Sequence, residues 1–174
     1  MGLASDLGYR LPRPNASQRL VQSFASTRPG AWLFSRTLRH LDDLVGRLTR
    51  GRQSVPELLA GLPVIDVTTT GRRSGLPRTS HLISVPGNDG LAVLGTNFGQ
   101  RSTPAWVLNL EADPRAAVTY RGTTVEVVAR AATEAEYAEV LAGSAGVYGG
   151  YLEYVRRISG RRVRIFLLEA PGAP

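Results

Sequence analysis

Three arginines, one serine hydroxyl and no carboxylate fall in one short stretch: Gly71-Arg72-Arg73-Ser74-Gly75-Leu76-Pro77-Arg78. A guanidinium presents a rigid fork of donors that matches the oxygens of a phosphate or carboxylate. The two glycines allow the backbone to bend and to approach a ligand closely. Successive N–H groups of such a turn can add an anion-holding concavity. The stretch follows an apolar, β-branched run, Val64-Ile65-Asp66-Val67-Thr68-Thr69-Thr70, and so reads as a turn closing a strand. It suits a poly-anionic small molecule. Taken alone, it suits a solvated basic hairpin turn equally well.

A second constellation lies further on, at Thr96-Asn97-Phe98-Gly99-Gln100-Arg101-Ser102-Thr103-Pro104-Ala105-Trp106-Val107-Leu108-Asn109-Leu110. A polar loop here feeds a helix expected to start at Ser102-Thr103-Pro104 and to run through Ala112, because proline is favoured in a first helical turn. A helix start offers free N–H groups and partial positive charge to an anion or a polar ring edge. Trp106 and Leu110, four apart, share a face that can cover a flat apolar ligand or simply belong to the core. Tyr148, Tyr151 and Tyr154 recur at three-residue spacing and fall on one side of a helix or turn. They can stack on an aromatic substrate and donate hydrogen bonds to a developing oxyanion, or fill a seam between helix and sheet.

Other chemistries are poorly supplied. The chain has no cysteine, which excludes disulfides, thiolate metal sites and thiol nucleophiles. Its two histidines, His40 and His81, provide no metal cluster, so no metal is expected. His40 reads as solvated and His81 as structural. No serine–histidine–acid arrangement or phosphate-binding P-loop is recognisable. An enzyme without nucleophile or metal is still possible where a cofactor carries the chemistry. The net charge is +7 and every basic residue is arginine, a pattern that codon bias also produces, so clustering is more informative than number.

The elements that must position these residues are legible in outline. Ala31, Phe34, Leu38, Leu41, Val45 and Leu48 mark one apolar helical face, with arginines largely off it. Such a helix packs on a core or touches a membrane surface. Ser54–Gly61 reads as a short helix or turn. Strands are expected at 63–70, 78–85, 91–96, 115–121, 123–131 and 162–169, joined mostly by hairpins. A helix is expected from Thr133 to Ala142, with Thr133 and Glu136 forming a capping box. About six mostly antiparallel strands with helices at the ends predict an α+β barrel. A single domain is expected overall, with residues 1–53 as an N-terminal helical segment and 54–174 as the barrel. No apolar run reaches the length of a membrane span, and the first residues lack a signal-peptide core.

Together the motifs resemble the deazaflavin-dependent nitroreductase family, whose members use coenzyme F420. The resemblance rests on Thr69-Thr70-Gly71-Arg72-Arg73-Ser74-Gly75, Arg78, Asn97-Phe98-Gly99, Pro104-Ala105-Trp106, Asn109-Leu110 and Ala112-Asp113-Pro114, in order and spacing, and runs from about residue 50 to 169. It implies a split β-barrel of the flavin-reductase type and hydride transfer from reduced F420 to a quinone, nitro compound or similar electron-poor acceptor. It gives Arg72, Arg73, Ser74, Gly75 and Arg78 to the coenzyme's phosphate and oligoglutamate tail. Thr96, Asn97, Phe98 and Gly99 would border its phosphate and ring, with Pro104, Ala105 and Trp106 beside them. Tyr148, Tyr151 and Tyr154 resemble the family's substrate-side tyrosines. The chain departs from the pattern at Val107, Asn97 and Ser80-His81. A cytoplasmic protein is expected, with peripheral contact at the inner face of the membrane through the N-terminal helix as one option. Barrels of this kind often pair, so a homodimer is a further option. Two rival readings remain at this stage. The same barrel could hold FMN or a tetrapyrrole, or the chain could be a basic module for nucleic acid or membrane. The leading reading expects no nucleic-acid partner, since interleaved exposed aromatics are not evident.

Overall fold

Alternation of inward apolar side chains along six strands is what closes the molecule, in a computed structural model that describes residues 2–11, 14–33, 36, 60–87 and 90–172. The strands are β1 (Val64–Thr70), β2 (Pro77–Pro86), β3 (Leu91–Leu94), β4 (Arg115–Tyr120), β5 (Thr123–Ala131) and β6 (Ile165–Glu169). They form a closed barrel in the order β1-β2-β3-β6-β5-β4, every neighbouring pair antiparallel. Closure leaves no strand edge to attract a foreign chain. The α+β barrel expected from the sequence is therefore the fold, with helices α1 (Leu3–Asp6), α2 (Ala16–Ser26), α3 (Ala105–Ala112), α4 (Glu134–Val147) and α5 (Gly150–Arg157) around it.

Two cores share the sheet. Ile65, Val67, Leu91, Val93, Ala116, Val118, Val127, Phe166 and Leu168 fill the barrel, and Trp106, Val107 and Leu110 of α3 join them. Leu3 and Leu7, at α1, enter the same core, and Tyr9 meets Tyr120 with ring centroids 5.3 Å apart. The alternate residues Val85, Ala92, Leu94 and Ile165 face outward into a second core with Val140 and the three tyrosines. Short β3 is consequently buried along its whole length. A strand covered on both faces reads as a continuous apolar run, and Leu91-Ala92-Val93-Leu94 does.

Several boundaries differ from expectation. The first-turn proline is instead the N-cap of α3: Pro104 has φ −58° and ψ 146°, so the helix starts at Ala105. The α4 capping box forms as expected, but the helix continues past Ala142 to Val147. Two glycines in that extension cost about 1 kcal/mol each, and the packing of Val140 and Val147 on the second core overrides them. The last strand begins at Ile165 rather than Arg162. Helix α2 falls in the expected N-terminal helical segment but without expected bounds of its own, although Asn15 and Gln18 cap it reciprocally. Residues 28–33 are helical. Apart from residue 36, the rest of the helix expected over 31–48, most of the turn over 54–61, the boundary at 53/54 and His40 lie outside the described residues.

Arg130 ties helix α4 to the barrel. Its guanidinium meets both Glu136 oxygens at 2.9 and 2.8 Å and Glu169 at 2.8 Å, while Glu136 also accepts the Thr133 amide at 2.8 Å. Hydrogen bonds from Arg130, then from Thr133, hold the Glu136 carboxyl down at about 2 from an ordinary 4.5. The folded value lies below the unfolded one, so this contribution to stability is complete above pH 4.5 and is lost as pH falls towards about 2. The melting temperature of Glu136→Gln is expected to fall less steeply than that of the parent across this window. Parallel curves would mean the pair carries no pH-dependent stability.

Candidate functional site

The arginine turn is built by its own backbone. Gly71 donates its amide to Leu76 O at 2.9 Å, and the Ser74 and Gly75 amides return to Gly71 O at 3.1 and 2.7 Å. Leu76 donates its amide to Ser74 Oγ at 3.3 Å. A Cβ at Gly71 would stand 2.7 Å from that oxygen, and Gly75 sits at φ +67°, so both positions favour glycine. The Arg72 amide is taken by Asn109 Oδ1 at 3.1 Å. The amides of Gly71, Arg72, Ser74, Gly75 and Leu76 are thus spent on the turn and on Asn109, which leaves little of the anion-holding concavity expected of this turn. What the turn offers is side chains. Arg72, Arg73 and Arg78 are exposed, and among the described residues none of them pairs with a carboxylate. Elsewhere Arg115, Arg130, Arg156, Arg162 and Arg164 are each matched to an acid.

Behind the turn lies one buried polar bridge. Asn109 Nδ2 donates to Thr69 Oγ1 at 3.0 Å, and Thr69 Oγ1 donates to Arg78 O at 3.3 Å. Asn109 is 6% and Thr69 2% exposed. Helix α3 thus holds the entry of the turn at Arg72 and, through β1, its exit at Arg78.

The loop before α3 has an unusual backbone. Thr96 is right-handed, whereas Asn97, Phe98 and Gly99 follow at φ 47°, 55° and 80°. Left-handed conformations at non-glycine residues are uncommon and concentrate at functional positions. A right-handed residue followed by a left-handed one makes a nest of N–H groups. Among the described residues, the Asn97 and Phe98 amides have no acceptor. Thr96 donates its amide to Leu94 O at 2.9 Å, so the open amides of this loop are those of Asn97 and Phe98. Asn97 Nδ2 donates to Ser102 O and Ser102 Oγ at 3.1 and 3.0 Å, which keeps the loop folded back on itself. Pro104 and Ala105 open helix α3 beside it. Trp106 does not lie as a flat cover over a ligand site. It is 6% exposed and meets Phe166 edge-on at 6.1 Å, and Leu110 is 2% exposed in the same barrel core.

The tyrosines do converge. Phe98 meets Tyr154 edge-on at 6.1 Å, so the cluster adjoins the left-handed loop. Tyr154 donates to Ala25 O at 2.8 Å, which makes Tyr148 the donor in the 3.0 Å Tyr148–Tyr154 bond. Tyr151 donates to Ile83 O at 2.7 Å. Burial, reinforced by the neighbouring phenols, pushes the Tyr151 and Tyr154 hydroxyls far above their ordinary range, so both stay protonated. All three rings are buried, and the hydroxyl protons of Tyr151 and Tyr154 are held by main-chain carbonyls of β2 and α2. His81 stands outside this arrangement, with Nδ1 2.6 Å from Asp66 Oδ1 across the β1–β2 pair. No group of three or more metal-ligating side chains occurs among the described residues.

Reading the sequence alone did not single out Asn109 or Thr69 as supports of the turn. A lone amide between Leu108 and Leu110 was the available signal. Asn109→Ala is expected to leave the Arg72 amide and Thr69 hydroxyl without their partner and to lower unfolding stability by about 1–3 kcal/mol in urea titration. A loss below about 0.5 kcal/mol, the range of ordinary surface changes, would remove the bridge from this role.

A family model described as F420H2-dependent quinone reductase matches residues 41–170. A solved structure named as an F420-H2 dependent reductase (FDR-A) is 27% identical, with a TM-score of 0.56 over 62% of this chain and 94% of its own. One described as a domain-swapped dimer is 25% identical, with a TM-score of 0.59 over 81% of this chain and 99% of its own. Atu2129 of Agrobacterium tumefaciens, of unknown function, is 18% identical with a TM-score of 0.52 over 64% of this chain and 49% of its own, and shares the fold alone. The matched region contains the arginine turn, the left-handed loop and the tyrosines on one closed barrel, and the chain belongs to the F420H2-dependent quinone reductase family, as an oxidoreductase whose cofactor is coenzyme F420.

Proposed function

We propose that Arg72, Arg73 and Arg78 bind the phosphate and carboxylate groups of coenzyme F420, and that Ser74 and Gly75 shape the turn that presents them. In this reading Thr96, Asn97, Phe98 and Gly99 border the phosphate and ring, with Pro104, Ala105 and the backbone of Trp106 beside them. The observation that carries it is three exposed guanidiniums, unpaired among the described residues, on a turn anchored to the helix that the left-handed loop feeds. The donors suit the coenzyme: rigid forks for its anionic oxygens and two open amides for one of them. When bound, the reduced coenzyme supplies the hydride.

The protein's own residues bind, orient and manage the proton. Reduction of a quinone to a hydroquinone takes one hydride and one proton, so an acceptor oxygen needs a nearby donor. Tyr148, Tyr151 and Tyr154 line the acceptor side in this proposal. Their hydroxyls remain donors because burial keeps Tyr151 and Tyr154 protonated. An acceptor oxygen that takes the place of Ala25 O receives the Tyr154 hydrogen bond, with Tyr148 behind it in the chain of donors. The substrate class is a quinone or similarly electron-poor compound.

Two broader features belong to the same proposal. A homodimer is supported by the alignment with the neighbour described as a domain-swapped dimer. Peripheral membrane contact by the N-terminal segment is supported by Leu20, 73% exposed, and by Leu11 at 49%, with exposed Arg19 and Arg28 nearby. No helix among the described residues is long and apolar enough to cross a membrane.

The double variant Arg73→Ala/Arg78→Ala is expected to weaken F420 binding by roughly 2–4 kcal/mol in a fluorescence titration, the value of charge-assisted contacts. Unchanged affinity would remove the turn from the site. Tyr154→Phe is expected to lower turnover at saturating coenzyme while leaving F420 affinity near that of the parent. Equal losses of both would assign Tyr154 a purely structural role.

A further inference from the structure

We propose that Arg161 is the positioning residue of the coenzyme site: it gathers the carbonyls of the 95–101 loop so that the loop's amide side faces the coenzyme. This rests on the assignment of that loop to coenzyme F420. The Arg161 guanidinium donates to Gly95 O at 3.0 Å, Thr96 O at 3.2 Å, Gln100 O at 3.0 Å and Arg101 O at 3.0 Å. The two pairs of acceptors come from the two limbs of the loop, one before the left-handed residues and one after them. A planar fork with five donors can span both limbs at once; a single ammonium cannot.

Electrostatics give the clamp its consequence. Carbonyl oxygens are the negative ends of the peptide dipoles and repel an anionic ligand. Arg161 collects four of them on one side. The Asn97 and Phe98 amides, without an acceptor among the described residues, are the N–H groups that this leaves for a ligand. The conformation needs such support, because left-handed non-glycine residues are strained and persist only when the surroundings over-determine them. Arg161 also sits on the connection between α5 and β6, directly after Gly160. Its neighbours reinforce the link to the tyrosines. Gly95 donates its amide to Arg164 O at 2.8 Å, and a Cβ at Gly99 would lie 3.4 Å from Tyr154 Cα. The clamp therefore fixes the loop relative to the helix that carries Tyr151 and Tyr154.

The test compares Arg161→Ala and Arg161→Lys with the parent and with Arg73→Ala/Arg78→Ala. Amide hydrogen exchange over residues 95–103 is read without coenzyme, and F420 affinity is read by fluorescence titration at several salt concentrations. Both Arg161 variants are expected to exchange faster in this segment while the barrel strands keep their protection. Both are expected to bind F420 about tenfold more weakly, a change of about 1.4 kcal/mol. Their salt dependence should match the parent, because Arg161 faces carbonyls and not the ligand. The reference variant should show the opposite pattern, a shallower salt dependence with unchanged loop exchange. The lysine variant keeps the charge and serves if the alanine variant does not fold. Unchanged exchange in either Arg161 variant overturns the proposal. So does parent-like affinity in a loosened loop, or full retention of both properties by lysine. Failure of the site reading itself is separate and visible: the reference variant would then bind F420 as the parent does.

Discussion

Helix α3 is inserted into the barrel by Trp106, Val107 and Leu110, and its buried amide, Asn109, decides what that insertion positions. The apolar side chains supply the driving force, since each fully buried large side chain contributes about 1.5–3 kcal/mol. That force is non-directional and would tolerate rotation of the helix. The amide is directional. It must meet Thr69 of the barrel wall and the Arg72 amide of the turn together, or leave buried polar groups without partners. One bridge therefore sets the helix, the first residue of the arginine turn and, through Thr69, the last one. The left-handed loop feeds the other end of the same helix, so both halves of the proposed coenzyme site are referred to a single rigid element.

The use of both faces of the sheet explains where the tyrosines fit. Residues alternating inward fill the barrel, and those alternating outward at Val85, Ala92, Leu94 and Ile165 build the second core against α4 and α5. Tyr148, Tyr151 and Tyr154 belong to this second core, and their hydroxyls meet carbonyls of β2 and α2 or one another. Buried phenols need such partners. Of the three rings, that of Tyr154 meets the loop at Phe98. A side chain can consequently support the fold and still adjoin the loop proposed to hold the coenzyme. The spacing of three that marks these tyrosines in the sequence does not separate the two roles; the direction of their hydroxyls does.

Much of the barrel and part of the site were legible in the sequence, for identifiable reasons. Strands showed through alternation and through turn residues such as Arg121-Gly122, both at positive φ. The arginine turn was legible because its chemistry lies in side chains. That most of its amides are spent inside the turn and on Asn109 was not legible, because backbone hydrogen bonding depends on conformation that no residue type announces. Helical spacing puts Trp106 and Leu110 on one face without saying what the face meets, which left cover and core open; the structure turns that face into the barrel core. Arg161 left no sequence signal at all. Its partners are main-chain carbonyls, which any residue supplies, and it is one arginine among 21 in a chain without lysine.

Charge pairing separates the arginines that sequence counting cannot. Arg115 with Asp113, Arg130 with Glu136 and Glu169, Arg156 with Glu153, Arg162 with Glu134 and Arg164 with Glu111 are neutralised where they stand. These surface pairs contribute little to stability individually. Their effect on the field is larger, because a paired arginine adds little potential beyond a Debye length of about 8–10 Å. Arg161 is occupied differently, by four carbonyl dipoles of one loop. Against this background, the guanidiniums of Arg72, Arg73 and Arg78 form a local concentration of uncompensated charge. A net charge of +7 is thus a poor description of the surface that a ligand meets. Three such guanidiniums within one turn set it apart from the arginines that stand beside an acid, and the proposed role of the turn in binding an anion rests on that difference.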